Sequence, residues 1–259
     1  MSELFPQGTF TPDPGRGSTL AMLRAQGGLE ARLALRNAEQ VLLTLLIPAA
    51  LLAALTLIPA LPSPEPRVDW VLASMLALAV MSSAFTSQAI ALGFDRRYGA
   101  LRRLAATAIP RWLLVCGRLT AVAVVVVIQV VVLLVLAAVL GWTPFGARLD
   151  GAIVAVALGA AAFGALGILV GGTLRAEIVL AVANVVWFLL LLAGGIVVPV
   201  ADLPGPLAVV ATWLPSGALA EALRAALGTG EFPPAGPLLV LAGWAVAAGL
   251  LAARTVRWT

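Results

Sequence analysis

Few residues in this chain are able to do chemistry, and the missing types decide most of the reading. There are sixteen arginines, twelve acids and one cysteine, with no histidine and no lysine. Without histidine there is no His-Glu-x-x-His protease, no Ser–His pair and no histidine-ligated zinc or haem. Carriers coupled to protons or sodium bury ionisable groups near the bilayer midplane, yet the long apolar runs contain no central Asp or Glu. No Gly-x-x-x-x-Gly-Lys-Ser/Thr phosphate loop occurs, so this route to ATP is closed. Cys116 stands alone, which excludes an internal disulfide and suits a small packing residue. The expectation is a chain that is not an enzyme and holds no metal or cofactor. Anything it moves goes downhill or is driven by a partner.

Polar residues do occur inside the apolar runs. Serines and threonines such as Thr44, Thr56, Ser82, Ser83, Thr86 and Ser87 ordinarily satisfy their own helix or bridge packed helices. Gln88, Gln129 and Asn184 cost more to bury, and are the candidates for a lined path. The densest polar cluster lies outside the runs, in Asp95-Arg96-Arg97-Tyr98-Gly99-Ala100-Leu101-Arg102-Arg103-Leu104. A loop that only fixes topology needs arginine. It does not need Gly99, the leucines or the leading acid, and a short helix with Arg on one side and Leu on the other is shaped to dock on a soluble partner.

The elements that position these residues follow from composition. The chain is 62% apolar and 11% charged, against about 45–50% and about 25% in soluble domains. Six apolar runs fall near the ~20 residues that cross a ~30 Å hydrocarbon core as helix: 41–61, 68–94, 119–140, 151–173, 178–200 and 237–253. In lipid the backbone must satisfy itself, so these are helices. The expected fold is all-α, a polytopic membrane protein of six transmembrane helices.

Arginine placement orients it. With both termini in the cytoplasm, thirteen arginines and six acids lie inside, and three arginines and six acids outside. The positive-inside rule favours that arrangement, and it accounts for the basic balance without any nucleic acid. The expected location is the cytoplasmic membrane, in contact with its lipids.

Residues 1–18, rich in Pro and Gly, read as a disordered tail. Residues 19–40 read as an interfacial helix with Arg24, Arg32 and Arg36 beside a stripe of Met22, Leu29 and Leu33, although Gly27-Gly28 interrupts it. A plain basic flank is the alternative. The transmembrane domain is then 41–259, with a charged inner loop at 93–118. Its last outer region, 201–236, contains apolar stretches too short to span and broken by Pro204, Pro206 and Pro215. These read as re-entrant helices, with Ser216 as an N-cap and Gly228 as a stop.

On two groups of motifs the sequence resembles the type-2 ABC exporter permeases. The first is Asp95-Arg96, Gly99, Leu101, Arg103-Leu104, Pro110 and Gly117-Arg118, with Asp95 where Glu is commoner. The second is Gly194-Gly195 through Pro199, Leu203-Pro204, Trp213-Leu214-Pro215 and Glu221-Ala222-Leu223-Arg224. The resemblance implies a permease that pairs with itself or a sister chain and with cytoplasmic ABC ATPase subunits, which hold the ATP and Mg. It implies that Asp95, Arg96, Arg97, Gly99, Leu101, Arg102, Arg103 and Leu104 form the ATPase-coupling segment, and that the outer region is marked by Pro199, Pro204, Pro215, Glu221 and Arg224. The expected cargo, moved outward, is drug-like or lipid-like. An energy-independent carrier or channel and a membrane scaffold remain the alternatives.

Overall fold

Runs of Ala, Leu and Val with polar groups kept to their ends leave a chain in lipid one option, to close its backbone hydrogen bonds locally. The computed structural model describes residues 18–58, 66–100 and 110–255, and these are helical with no strand among them. Helix α1, Thr19–Arg36, is followed by α2, Ala38–Leu57. The second span, Arg67–Arg97, consists of α3, Arg67–Met81, a π-helical turn at Ser82–Ser87, and α4, Gln88–Arg97. Then come α5, Arg111–Val139, α6, Leu149–Thr173, and α7, Ala176–Ala193. After a 3-10 turn at Val200–Asp202 come α8, Gly205–Trp213, and α9, Pro215–Arg224, which a π-helical turn extends to Thr229. The last helix is α10, Ala235–Thr255.

Among the described residues, five helices are long and apolar enough to cross a membrane: Arg67–Arg97, Trp112–Val139, Leu149–Thr173, Ala176–Ala193 and Ala235–Thr255. The protein is thus an all-α, multi-pass membrane protein. In the first expected span the apolar stretch Thr44–Leu57 is shorter than the others, although the helix containing it has 20 residues. Helices α8 and α9 meet at 88°, as a broken pair. The 88° break falls where Pro215, lacking an N–H, starts a new helix instead of continuing the old one.

The second span is the hub. From Val71 to Phe85 nearly every side chain is buried, including Leu72, Leu76, Met81 and Phe85. Its neighbour α6 approaches through small residues. A Cβ on Gly167 would sit 2.8 Å from the Phe85 carbonyl oxygen, so only glycine permits this backbone contact.

Several expected boundaries move. The N-terminal helix ends at Arg36, because Asn37 leaves helical geometry (ψ 65°), and residues 38–40 belong to α2. The third span begins at Arg111, eight residues before its apolar run, because Pro110 starts the helix and its first turns pack on α1. The fifth span stops at Ala193, where Gly195 turns the chain with φ +76°. Ser216 is not an N-cap: α9 starts at Pro215 with Leu214 as its cap, and the chain passes Gly228 to turn at Gly230. Leu101, Arg102, Arg103 and Leu104 of the expected coupling segment, and residues 1–17 of the expected tail, lie outside the described residues.

Candidate functional site

Successive spans run antiparallel, so the bundle has two polar ends, one at Asp95 and one at Arg224. At the first, the charged residues that close the second span bond to three other helices. Asp95 pairs with Arg118 on α5, whose side chain is 7% exposed. Arg96 donates to the carbonyls of Gly171 (3.2 Å) and Leu174 (3.0 Å), groups that the end of α6 leaves without helical partners. Arg97 pairs with Glu177 on α7. The Asp95 and Gly117-Arg118 steps of the sequence, 23 positions apart, are therefore two halves of one contact.

Gly99 has a local cause as well. Its φ of +69°, with its N–H bonded to the Arg96 carbonyl at 3.1 Å, ends α4 in a left-handed turn that favours glycine.

Helix α1 packs across the start of α5. Gly27, which interrupts the amphipathic pattern, is the buried crossing point, and its Cβ would meet Thr120 at 3.1 Å. On the facing helix a Cβ on Gly117 would lie 2.6 Å from Gln26 Cγ. Arg24, Arg32 and Arg36 are exposed, as are Leu20, Leu29 and Leu33. Gln26 donates to Glu30 at 3.0 Å. Burial pushes the Glu30 carboxyl above the ordinary carboxylate range; Arg118 opposes that rise and Asp95 adds to it. Sequence reasoning missed Gln26 and Glu30. The glycine pair that looked like a flaw in the stripe was the available signal.

The three candidate path residues separate. Gln129 is 1% exposed and cross-links three helices, accepting from Ser83 Oγ at 2.7 Å and donating to the Thr44 carbonyl at 3.1 Å. It is a bridge. Gln88 lines a cavity of about 310 Å³ together with Glu30, Asp95 and Arg118, and its Oε1 is buried with no partner among the described residues. Asn184 lines a second cavity of about 520 Å³, with Thr86, Trp187 and Phe188, and among the described residues bonds only to its own helix at Leu180. Both cavities reach Asn37, Thr44 and Ser87. Trp187, which sequence reasoning also missed, donates its indole N–H to Ser82 Oγ at 2.9 Å on the π-helical turn. A π turn inserts one extra residue into a helix and recurs at functional positions.

At the other end Arg224 on α9 is 3% exposed. It donates to Glu221 (2.9 Å), Ser74 Oγ (3.1 Å) and the Ile196 carbonyl (2.8 Å), and lies 5.9 Å from the Trp70 ring. It thereby ties α9 to the second span and to the segment after α7. Pro199 leads into the 3-10 turn, Pro204 precedes α8, and Pro215 opens α9. Gly217 packs its backbone against Ala211 and Gly194, so a side chain there would strike main chain.

Comparison with known proteins agrees with this architecture. Residues 35–254 match the model of the "ABC-2 family transporter protein" family, which takes in every span. The chain is 27% identical over 201 residues to "Putative transport permease YvfS" of Bacillus subtilis (strain 168), covering 75% of this chain and 81% of that protein. With the family match running over the whole transmembrane bundle and both of its polar ends, the chain belongs to the ABC-2 family of transporter proteins.

Proposed function

We propose that this chain is the transmembrane subunit of an ABC exporter, moving a hydrophobic or amphipathic substrate outward across the cytoplasmic membrane. Family membership makes it a transport permease subunit whose general partner is an ABC ATPase. The direction, the cargo class, the cytoplasmic termini, and pairing with a second copy or a sister permease are our reading. So is the absence of any catalysis or bound cofactor in this chain, with ATP and Mg held by the partner.

The observation that carries the proposal is the convergence at Asp95. Asp95, Arg96 and Arg97 bond to α5, α6 and α7 respectively. A push on the chain beyond Gly99 is therefore delivered to four spans together. In this reading Leu101, Arg102, Arg103 and Leu104 meet the ATPase, while Asp95, Arg96 and Arg97 transmit its motion. The exposed α1 arginines lie along the same face of the membrane. The cavities at Gln88 and Asn184 form part of the route, and their linings, which mix apolar side chains with polar ones, suit an amphiphile.

The test is co-expression with the partner ATPase and efflux from cells loaded with a fluorescent amphiphile. Arg103→Glu should abolish ATPase association. Arg118→Gln should keep association and lose efflux, because only transmission is cut. Efflux that persists in both variants, or that needs no ATP, would overturn the reading.

A further inference from the structure

Beside the broken pair, away from the Asp95 end, lies a groove that the transport reading does not use. It has two connected parts. One is a cavity of about 740 Å³ between α8, α9 and α10, apolar apart from Thr212 and Glu221, with Trp213 and Trp244 on its wall. The other is a cavity of about 490 Å³ lined by Trp70, Arg224 and Thr229. Thr212, Glu221 and Pro237 belong to both, so Glu221 stands at the junction. The volumes fall within the ~300–1,000 Å³ range of ligand sites.

The polar chemistry at the junction has a sign. Glu221 Oε1 accepts from Arg224, and its Oε2 takes no hydrogen bond among the described residues, with the side chain 39% exposed. Glu221 thus brings an unbonded carboxylate oxygen to the point where the two cavities meet, and Trp213 and Trp244 on the wall offer ring faces that attract cations, the Trp70 ring being already taken by Arg224. A positive head therefore suits the junction, and a hydrocarbon chain suits the tryptophan-walled part. Gly236 and Gly243 on α10 face open space, where a Cβ would meet nothing within 4 Å. The groove is thus open between the helices and is not merely loosely packed.

We propose that this groove binds a membrane phospholipid whose headgroup carries an ammonium, with the ammonium at Glu221 and an acyl chain along Trp213, Leu239, Val240 and Trp244. The bound lipid fills the angle between the broken pair and the last span and braces the two together. This holds whichever way cargo moves.

The test is native mass spectrometry of the full chain from nanodiscs made of equal phosphatidylethanolamine and phosphatidylglycerol with identical acyl chains. The two lipids share the phosphate and differ in the ammonium. Wild type should retain phosphatidylethanolamine over phosphatidylglycerol by on the order of fivefold, the worth of one partly exposed ion pair. Gly243→Leu fills the apolar part without touching Glu221, and should lose both adducts while keeping wild-type helicity and monodispersity. Glu221→Gln should keep the adducts and lose the preference. Equal retention of the two lipids by wild type, or unchanged adducts in Gly243→Leu, would overturn the proposal. Adding a single-chain alkyltrimethylammonium separates a resident lipid from passing cargo. Slow, partial displacement fits the brace, and complete displacement at the first equivalent overturns it.

Discussion

Arg224→Met gives the sharpest test of how the broken pair is held. Methionine keeps most of the apolar stem and deletes the guanidinium. Three hydrogen bonds disappear, to Glu221, Ser74 Oγ and the Ile196 carbonyl. A hydrogen bond to a charged group contributes about 1.5–3 kcal/mol, and a buried acceptor left unpaired costs about 1–3 kcal/mol. Glu221, at 39% exposure, recovers part of its loss from water, whereas the bond to Ile196 is buried and has no such recourse. The net loss should be about 3–4 kcal/mol, near the lower part of the range for breaking a buried pair by removing one partner. The control is Arg97→Gln. Its pair with Glu177 is 51% and 65% exposed, and exposed pairs are worth about 0–1 kcal/mol. Both variants and wild type are unfolded with dodecyl sulfate in mixed micelles and followed by circular dichroism. A loss below about 1 kcal/mol for Arg224→Met, or equal losses for the two variants, would refute the claim that burial separates them.

Gly117→Leu should push Gln26 away and lift α1 from α5, seen as faster tryptic cleavage after Arg24 and Arg32; an unchanged digestion pattern would count against the crossing. Gln129→Leu should lose about 1 kcal/mol, as interhelical polar bonds in membranes do, while Asn184→Ala, which removes only a bond within its own helix, should change dodecyl sulfate stability very little. Glu30 titrates above the ordinary carboxylate value, so the native state takes up its proton more readily than the unfolded chain. Acidification through that range should stabilise wild type, and the contribution should fade as pH rises through the raised native value. The thermal midpoint of Glu30→Gln should match wild type at low pH and exceed it at neutral pH; a constant difference across the range would contradict the burial of Glu30.

Helices, and their number within one, could be read from composition and run length. The broken pair could be read from Pro204 and Pro215, since proline stops a helix by removing a donor. Boundaries were less legible because hydropathy marks where lipid ends and not where hydrogen bonding ends. Helix α5 therefore begins at Arg111, well before its apolar run. The sites were least legible. Gln129 reads the same whether it lines a path or bridges helices, and only the approach of Ser83 and the Thr44 carbonyl decides for the bridge. Asp95 and Arg118 were visible as separate motif positions, but their ion pair depends on two helices meeting 23 residues apart.

The partners of Arg224 also bear on how the protein is made. Ser74 and Ile196 both precede it in the chain, so a ribosome delivers them to the bilayer first. The guanidinium then meets its acceptors as soon as α9 arrives, and need not wait in hydrocarbon for a later helix. Circular permutation that moves the second span to the C-terminus would leave the guanidinium with Glu221 and Ile196 but without Ser74 until synthesis ends. Such a permuted chain should accumulate to a lower level in the cell even though every native contact is still available to it.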